Sequence, residues 1–335
     1  MGKSVVHGAD CGWLSQLEAN GVIWVNENGE QSDPLELLKN SGMEAVRLRV
    51  FVEPAENFHW TKKNGMNCML GFSDTQGVLE MAQRVQEKGL RLMIDFHYSD
   101  HFADPEYQDI PKAWEEMDYE GLKECVYRHT REVLEVLVQN GIYPEWVQVG
   151  NEINPGMLLP CGDAVCNPEQ LAGLLTRGYE AVKEICPGAK VITHLADGFD
   201  REQFRRFFDN FLVKYHGKTD VIGFSYYPFW IREAENREFS LLIDNLRDMA
   251  ERYQKEVMIC EVGEDEKRES DSKKLFEDVI KAIEEVPNGA GIGVFCWEPE
   301  ANAAVLPDGY PLGMTKVIDK NTLQFTEAIQ AFQKK

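Results

Sequence analysis

Residues 121–154 read GLKECVYRHTREVLEVLVQN, GIYPE, WVQVG and NEIN, and this stretch decides the fold. Residues 121–140 carry apolar side chains at helical period, and Gly141 follows as a C-cap glycine. Residues 146–150 form a short apolar, β-branched run of strand type. Its end delivers Asn151 and Glu152, two side chains able to do chemistry. The same unit recurs outward in both directions. Strand-type runs lie at 5–9, 45–51, 90–97, 146–150, 190–195, 220–227, 256–261 and 291–297, eight in all. Helical periodicity marks 75–88, 121–140, 168–185, 202–215, 241–254 and 272–286, and 322–332 is expected as a last helix. Gly89 is a second C-cap glycine, while Asp33-Pro34 and Asn167-Pro168 read as N-cap plus N1 pairs.

Eight strands alternating with helices point to an α/β fold, a single (β/α)8 TIM barrel over residues 1–335. Strands this continuously apolar suit a parallel sheet buried on both faces. A doubly wound sheet calls for a glycine-rich turn after the first strand, and His7-Gly8-Ala9-Asp10-Cys11-Gly12 is not GxGxxG.

Lys and Arg number 35 against 57 Asp and Glu, a net charge of −22. That charge repels phosphate backbones and anionic membrane surfaces, so neither nucleic acid nor membrane is expected as a partner. No stretch approaches the ~20 apolar residues of a membrane span. At 43% hydrophobic the chain has ample core material. The N-terminus shows no basic head followed by an apolar run, so no signal peptide is expected in this chain. The eight cysteines form no CxxC pair or clustered zinc spacing. Cys260 and Cys296 sit in apolar runs and read as small buried hydrophobes, while a local Cys161–Cys166 disulfide stays open. Scattered thiols fit a reducing compartment or an anaerobic source.

In such barrels the active site forms at the C-terminal ends of the strands. Those ends carry Asp10, Arg47 and Arg49, Asp95-Phe96-His97-Tyr98-Ser99-Asp100, Asn151-Glu152, His194, Tyr226-Tyr227-Pro228-Phe229-Trp230, Glu261, and Trp297-Glu298. Aromatic faces suit the apolar faces of sugars, and carboxylates and amides match their hydroxyls. Glu152 and Glu261 stand on near-opposite strands, as acid and nucleophile must in retaining glycoside hydrolysis. Arg47 beside Glu261 would hold it ionised. Arg47 and Arg49 also fit structural ion pairs inside the barrel, and the aromatics fit ordinary packing. The acidic segment Glu261-Val262-Gly263-Glu264-Asp265-Glu266 is hostile to phosphate, against a phosphate-handling barrel.

Several motifs together resemble the arabinogalactan endo-β-1,4-galactanases of glycoside hydrolase family 53. They are GAD (8–10), VRLRV (46–50), DFHYSD (95–100), VQVGNEIN with Gly156-Met157 after Pro155, HLADGFD (194–200), IGFSYYPFW (222–230) and FCWEP (295–299). The resemblance covers nearly the whole chain. It implies a retaining mechanism on β-1,4-galactan or arabinogalactan, with Glu152 as acid/base and Glu261 as nucleophile. It further implies that Arg47 and Tyr227 contact the nucleophile, that Asn151 binds the sugar 2-hydroxyl, and that Trp297 floors that subsite. Asp10, His97, Asp100, His194 and Trp230 would complete a substrate cleft. No metal and no cofactor are expected, and a monomer is. Other barrel glycanases, acting on mannan or glucan, share this acid and nucleophile, and a non-catalytic sugar-binding protein is the alternative from another class. Polymer degradation argues for export and free thiols for the cytoplasm. The sequence departs from the family after Glu261 (262–267), at 53–72, and at 158–166.

Overall fold

In the computed structural model, which describes residues 5–333, eight strands close into a parallel barrel. They are β1 (Val6–Asp10), β2 (Ala45–Val50), β3 (Arg91–Phe96), β4 (Trp146–Val149), β5 (Lys190–Leu195), β6 (Val221–Tyr226), β7 (Glu256–Val262) and β8 (Gly291–Cys296). Each pairs with its sequence neighbours, and β8 returns to β1 with Ala9 opposite Cys296. The alternation of strands and helices therefore reads out directly as (β/α)8 architecture.

The period of 2 along each strand sorts the side chains. In β2, Val46, Leu48 and Val50 face outward into the shell under the helices, and Ala45, Arg47 and Arg49 share the inner face. The lowest inner layer is apolar: Val6, Ala45, Met93, Trp146, Ile192, Val221 and Met258 pack together. One step up, the same parity delivers Asp10, Arg47, Asp95, Gln148 and His194. The floor of the mouth is thus polar because β2, β3, β4 and β5 each change residue type after one apolar inward position.

Helices α1 (Leu14–Ala19), α2 (Pro34–Asn40), α3 (Thr75–Glu87), α4 (Tyr119–Gln139), α5 (Pro168–Ile185), α6 (Arg201–Phe208), α7 (Phe239–Tyr253) and α8 (Glu269–Glu284) bury their apolar faces on the barrel. Asp33 caps α2 through Leu35 N at 2.9 Å, as the Asp-Pro pair requires. Asn167 precedes Pro168 but spends its side chain on Pro160 O instead. Gly89 and Gly141 follow their helices with φ of 67° and 75°.

The expected helix at 322–332 is not one α-helix. Thr322–Phe325 is a strand, antiparallel to Thr315–Asp319 and parallel to Ile23–Val25, and a 3-10 turn follows at Glu327–Phe332. Alternation explains it: Leu323 is buried between half-buried Thr322 and Gln324, and Lys320 turns the hairpin at φ 38°. Two hairpins occupy the longer loops, His59–Thr61 with Asn67–Met69 and Gly156–Met157 with Gly162–Asp163. No disulfide joins the described residues, and all eight cysteines are thiols; Cys260 and Cys296 are buried. No helix among the described residues is long and apolar enough to cross a membrane.

Candidate active site

Glu261 sits one residue from the end of β7 and is 5% exposed. The β6–β7 register slips between Phe224 and Ser225: Phe224 faces Ile259 and Ser225 faces Glu261, leaving Cys260 as the extra residue. Such a bulge re-aims the next side chain. Here it turns Glu261 toward Arg47, with Nη2 at 3.0 Å from Oε1, while the Tyr227 hydroxyl donates to Oε2 at 2.8 Å.

Glu152 reaches the mouth differently. It adopts φ 47°, two residues after Gly150 at φ 82°. A left-handed backbone on a non-glycine residue costs of order 1 kcal/mol and clusters at functional sites. Tyr98, Asp197 and Glu298, also just past strand ends, share that conformation. Burial and the Glu261 charge drive the Glu152 carboxyl well above its ordinary range, with Asp104 and Asp197 adding to the push. Burial raises Glu261 as well, but Arg47 and the Tyr227 hydrogen bond pull it back. The proton that the pair holds therefore belongs on Glu152.

Arg47 is the hub beneath both. Fully buried, it pairs with Asp10 and with Asp95 at 2.7 Å, and donates to Asn151 Oδ1 at 2.8 Å and to Gln148 Oε1. Gln148 Nε2 in turn lies 2.6 Å from Asp95 Oδ1 and 2.9 Å from Asn151 Oδ1. Asn151 gives one amide hydrogen to Ala103 O at 2.8 Å, so its second remains for a ligand. Arg49 binds Asp10 and Glu298 and the Leu70 carbonyl, which makes it a structural ion-pair former. Glu298 also accepts from Gly12 N and Trp13 N, at 2.9 and 3.0 Å, and so fastens Trp13 at the start of α1. A Cβ on Gly12 would meet Arg49 Nη1 at 2.3 Å, which explains the glycine there.

The two mouth histidines brace the groups around Arg47. His97 Nε2 contacts Asp95 Oδ2 at 2.9 Å, while Nδ1 accepts from Ala103 N. His194 lies against Ser225 Oγ, Asn151 Oδ1 and Gln148 Nε2. Burial lowers the pKa of both, so each works as a neutral ring that sets orientation. Asp100 clamps two loops together: it accepts from Glu53 N at 3.0 Å and Lys112 N at 2.9 Å. Trp297 stands edge-on to Trp13 at 4.6 Å, with Phe102 and Tyr310 beside it. Trp230 is half exposed at the rim.

Sequence reasoning missed Gln148, Tyr310 and Phe102 as parts of this cluster. Gln148 was readable, since it alone interrupts Trp146-Val147-Gln148-Val149 with a polar group at an inward position. Tyr310 lies outside every strand end, and no local signal marks it. Among the described residues, no group of three or more His, Cys, Asp or Glu is arranged to hold a metal ion.

A model of the family described as Glycosyl hydrolase family 53 matches residues 6–332. The chain is 30% identical over 348 residues to arabinogalactan endo-β-1,4-galactanase A of Aspergillus niger, covering 97% of this chain and 93% of that protein. It is 34% identical over 328 residues to an uncharacterised protein of Niallia circulans, covering 89% of this chain and 84% of that one. A solved structure of a fungal β-1,4-galactanase superposes with a TM-score of 0.84 at 25% identity, covering 98% of each chain.

Proposed function

The chain belongs to glycosyl hydrolase family 53, and from that premise we propose that it cleaves internal β-1,4-galactosidic bonds of galactan and arabinogalactan with retention, through Glu152 and Glu261. The observation that carries the residue roles is the contrast between the two carboxyls. Glu261 has Arg47 at 3.0 Å and the Tyr227 hydroxyl at 2.8 Å, whereas burial and the charge of its neighbour keep a proton on Glu152.

The chemistry follows from that contrast. Glu261 attacks the anomeric carbon as the glycosidic C–O bond breaks, and the Glu152 proton passes to the leaving oxygen. The sugar is then an ester of Glu261. Glu152, now ionised, takes a proton from water as that water attacks the anomeric carbon and frees Glu261. The free hydrogen of Asn151 Nδ2 is positioned for a sugar hydroxyl, whose bond strengthens as the oxocarbenium character develops. Trp297 and Trp230 offer ring faces to the sugars.

Glu152→Gln and Glu261→Gln test the assignment with galactan as substrate. Each is expected to lose at least about 1,000-fold in kcat, because each removes a group on which a bond-making or bond-breaking step depends. Near-normal turnover in either variant, or release of the product as the opposite anomer, would overturn it.

A further inference from the structure

The connection from β3 to α4 folds against the turn that carries Glu152. Asp104 and Tyr107 close a small hairpin on it, each donating its backbone N–H to the other's carbonyl, at 3.0 and 3.1 Å. The Asp104 carboxylate tightens the same hairpin by accepting from Glu106 N at 2.7 Å and Tyr107 N at 3.0 Å. Trp60, in the 53–72 segment that departs from the family resemblance, stacks on His101 at 4.0 Å and stands edge-on to Tyr107 at 4.8 Å. The 158–166 departure packs here too: Leu159 N donates to Gln108 O at 2.8 Å. Gln108 thus leaves a braced platform, and it is 4% exposed.

Its side chain enters the Glu152 turn. Gln108 Nε2 lies 2.8 Å from Asn151 O, 3.3 Å from Glu152 O and 3.2 Å from Asp104 O. Three carbonyls fix the orientation of the amide, because only its nitrogen can donate to them. The first two belong to the turn in which the chain leaves β4 through left-handed backbone at Gly150 and Glu152. A left-handed residue other than glycine persists where its surroundings over-determine it. Here Gly150 N is bonded to Phe96 O and Ile153 N to His194 O, so both ends of the turn are anchored on neighbouring strands. Between those anchors Gln108 takes up the carbonyls of Asn151 and Glu152, and Ala103 O accepts from the Asn151 amide at 2.8 Å.

We propose that Gln108 is a positioning residue for Glu152: its amide clamps the carbonyls of Asn151 and Glu152 and so holds the left-handed turn that aims the acid at the glycosidic oxygen. The inference rests on the reading of Glu152 as acid/base. Proton transfer needs the carboxyl within hydrogen-bond reach of the leaving oxygen, and a turn free to relax toward ordinary backbone would carry it away. Gln108 touches no reacting atom, and its effect passes through the backbone of the residue it holds.

The test uses leaving groups that differ in their need for a proton. Phenyl and 2,4-dinitrophenyl glycosides of β-1,4-galactobiose are compared, with kcat/KM as the readout because it reports the steps up to bond cleavage. Phenolate leaves with help from the acid, whereas dinitrophenolate leaves without it. Gln108→Met keeps the length of the side chain and removes its donor. It is expected to lose about tenfold on the phenyl glycoside and on galactan, and less than about twofold on the dinitrophenyl glycoside. Gln108→Leu should show the same split. A general disturbance of the fold would lower both aryl substrates alike, and that result in folded variants would overturn the proposal. Failure of both variants to fold would overturn it too, since the amide would then serve the fold rather than the acid. Glu152→Gln must show the split most strongly. Its absence there would overturn the reading of Glu152 as acid and the inference with it, whereas a split in Glu152→Gln and none in Gln108→Met would overturn the inference alone.

Discussion

Replacing Arg47 with Met is the most exacting perturbation of this site. The guanidinium touches Asp10, Asp95, Glu261, Gln148 and Asn151, and it is 1% exposed. Met matches much of its bulk and none of its charge. Three carboxylates would lose their main cation at once. Removing one partner of a buried ion pair costs about 3–5 kcal/mol, because an uncompensated charge stays behind. For 335 residues, an unfolding entropy of about 2.1 cal/mol/K per residue sums to about 0.7 kcal/mol/K, so the expected fall in Tm is about 4–7 °C. The pH dependence is the sharper readout. In wild type, Arg47 and His97 hold Asp95 below its ordinary range. Without Arg47 the freed carboxyls keep their protons in the folded state to higher pH than in the unfolded chain. Folded protein then binds more protons, so the variant's stability falls as pH rises through that window. The Tm gap between wild type and variant should therefore widen from pH 5 to pH 8, measured by calorimetry in matched buffers. A gap that is constant with pH, or smaller than about 1.5 °C throughout, would refute the reasoning.

Two further outcomes follow from the packing. His129 lies edge-on to Phe96, Tyr98 and Trp114 with Nε2 unpartnered, and burial lowers its pKa to about 4. The folded state thus binds fewer protons than the unfolded chain between about pH 4 and 6.5, and stability is lost as pH falls through that range. His129→Phe should remove this loss, so that its Tm relative to wild type rises by about 3 °C between pH 7 and pH 5; a parallel pair of curves would contradict it. Trp230 is half exposed, and the proposed function has its face bind sugar. Trp230→Ala should raise KM for galactan about 3- to 10-fold with Tm within about 1 °C of wild type. An unchanged KM would place the sugar elsewhere.

Much of this architecture is legible in the sequence, for a physical reason. The barrel is a local code: each strand needs a short apolar run and each helix an apolar stripe, and both are periodicities along the chain. Arg47, Glu152 and Glu261 follow from the same code, because strand ends define the mouth. Where reading fails, the cause lies in contacts between distant segments. The pattern at 322–325 is too short to separate strand from helix, and pairing with Ile23–Val25 decides it. The oxygens of Asp100 bind Glu53 N and Lys112 N, a clamp whose placement no spacing reveals. Tyr310 packs on Trp13 and Trp297 from a loop whose Pro311 carbonyl accepts from Glu266 N, a contact between segments far apart in the chain.

On the proposed roles, the charges of the mouth let two glutamates in one barrel divide the labour. Asp10, Asp95, Glu152, Glu261, Glu298 and Glu300 are six buried carboxyls, set, among the described residues, against the buried guanidiniums of Arg47 and Arg49. The deficit is met by protons rather than by more cations. Burial and neighbouring carboxylates push Asp10, Glu152 and Glu300 well above the ordinary range. Glu298 stays ionised because Arg49 and two backbone N–H groups face it. A cation beside Glu152 would lower its pKa and leave a nucleophile with no acid to protonate the leaving oxygen. Scarcity of positive charge at the strand ends is therefore a requirement of the chemistry, and an uncharged sugar chain is the kind of substrate that such a cleft can admit without adding to the repulsion.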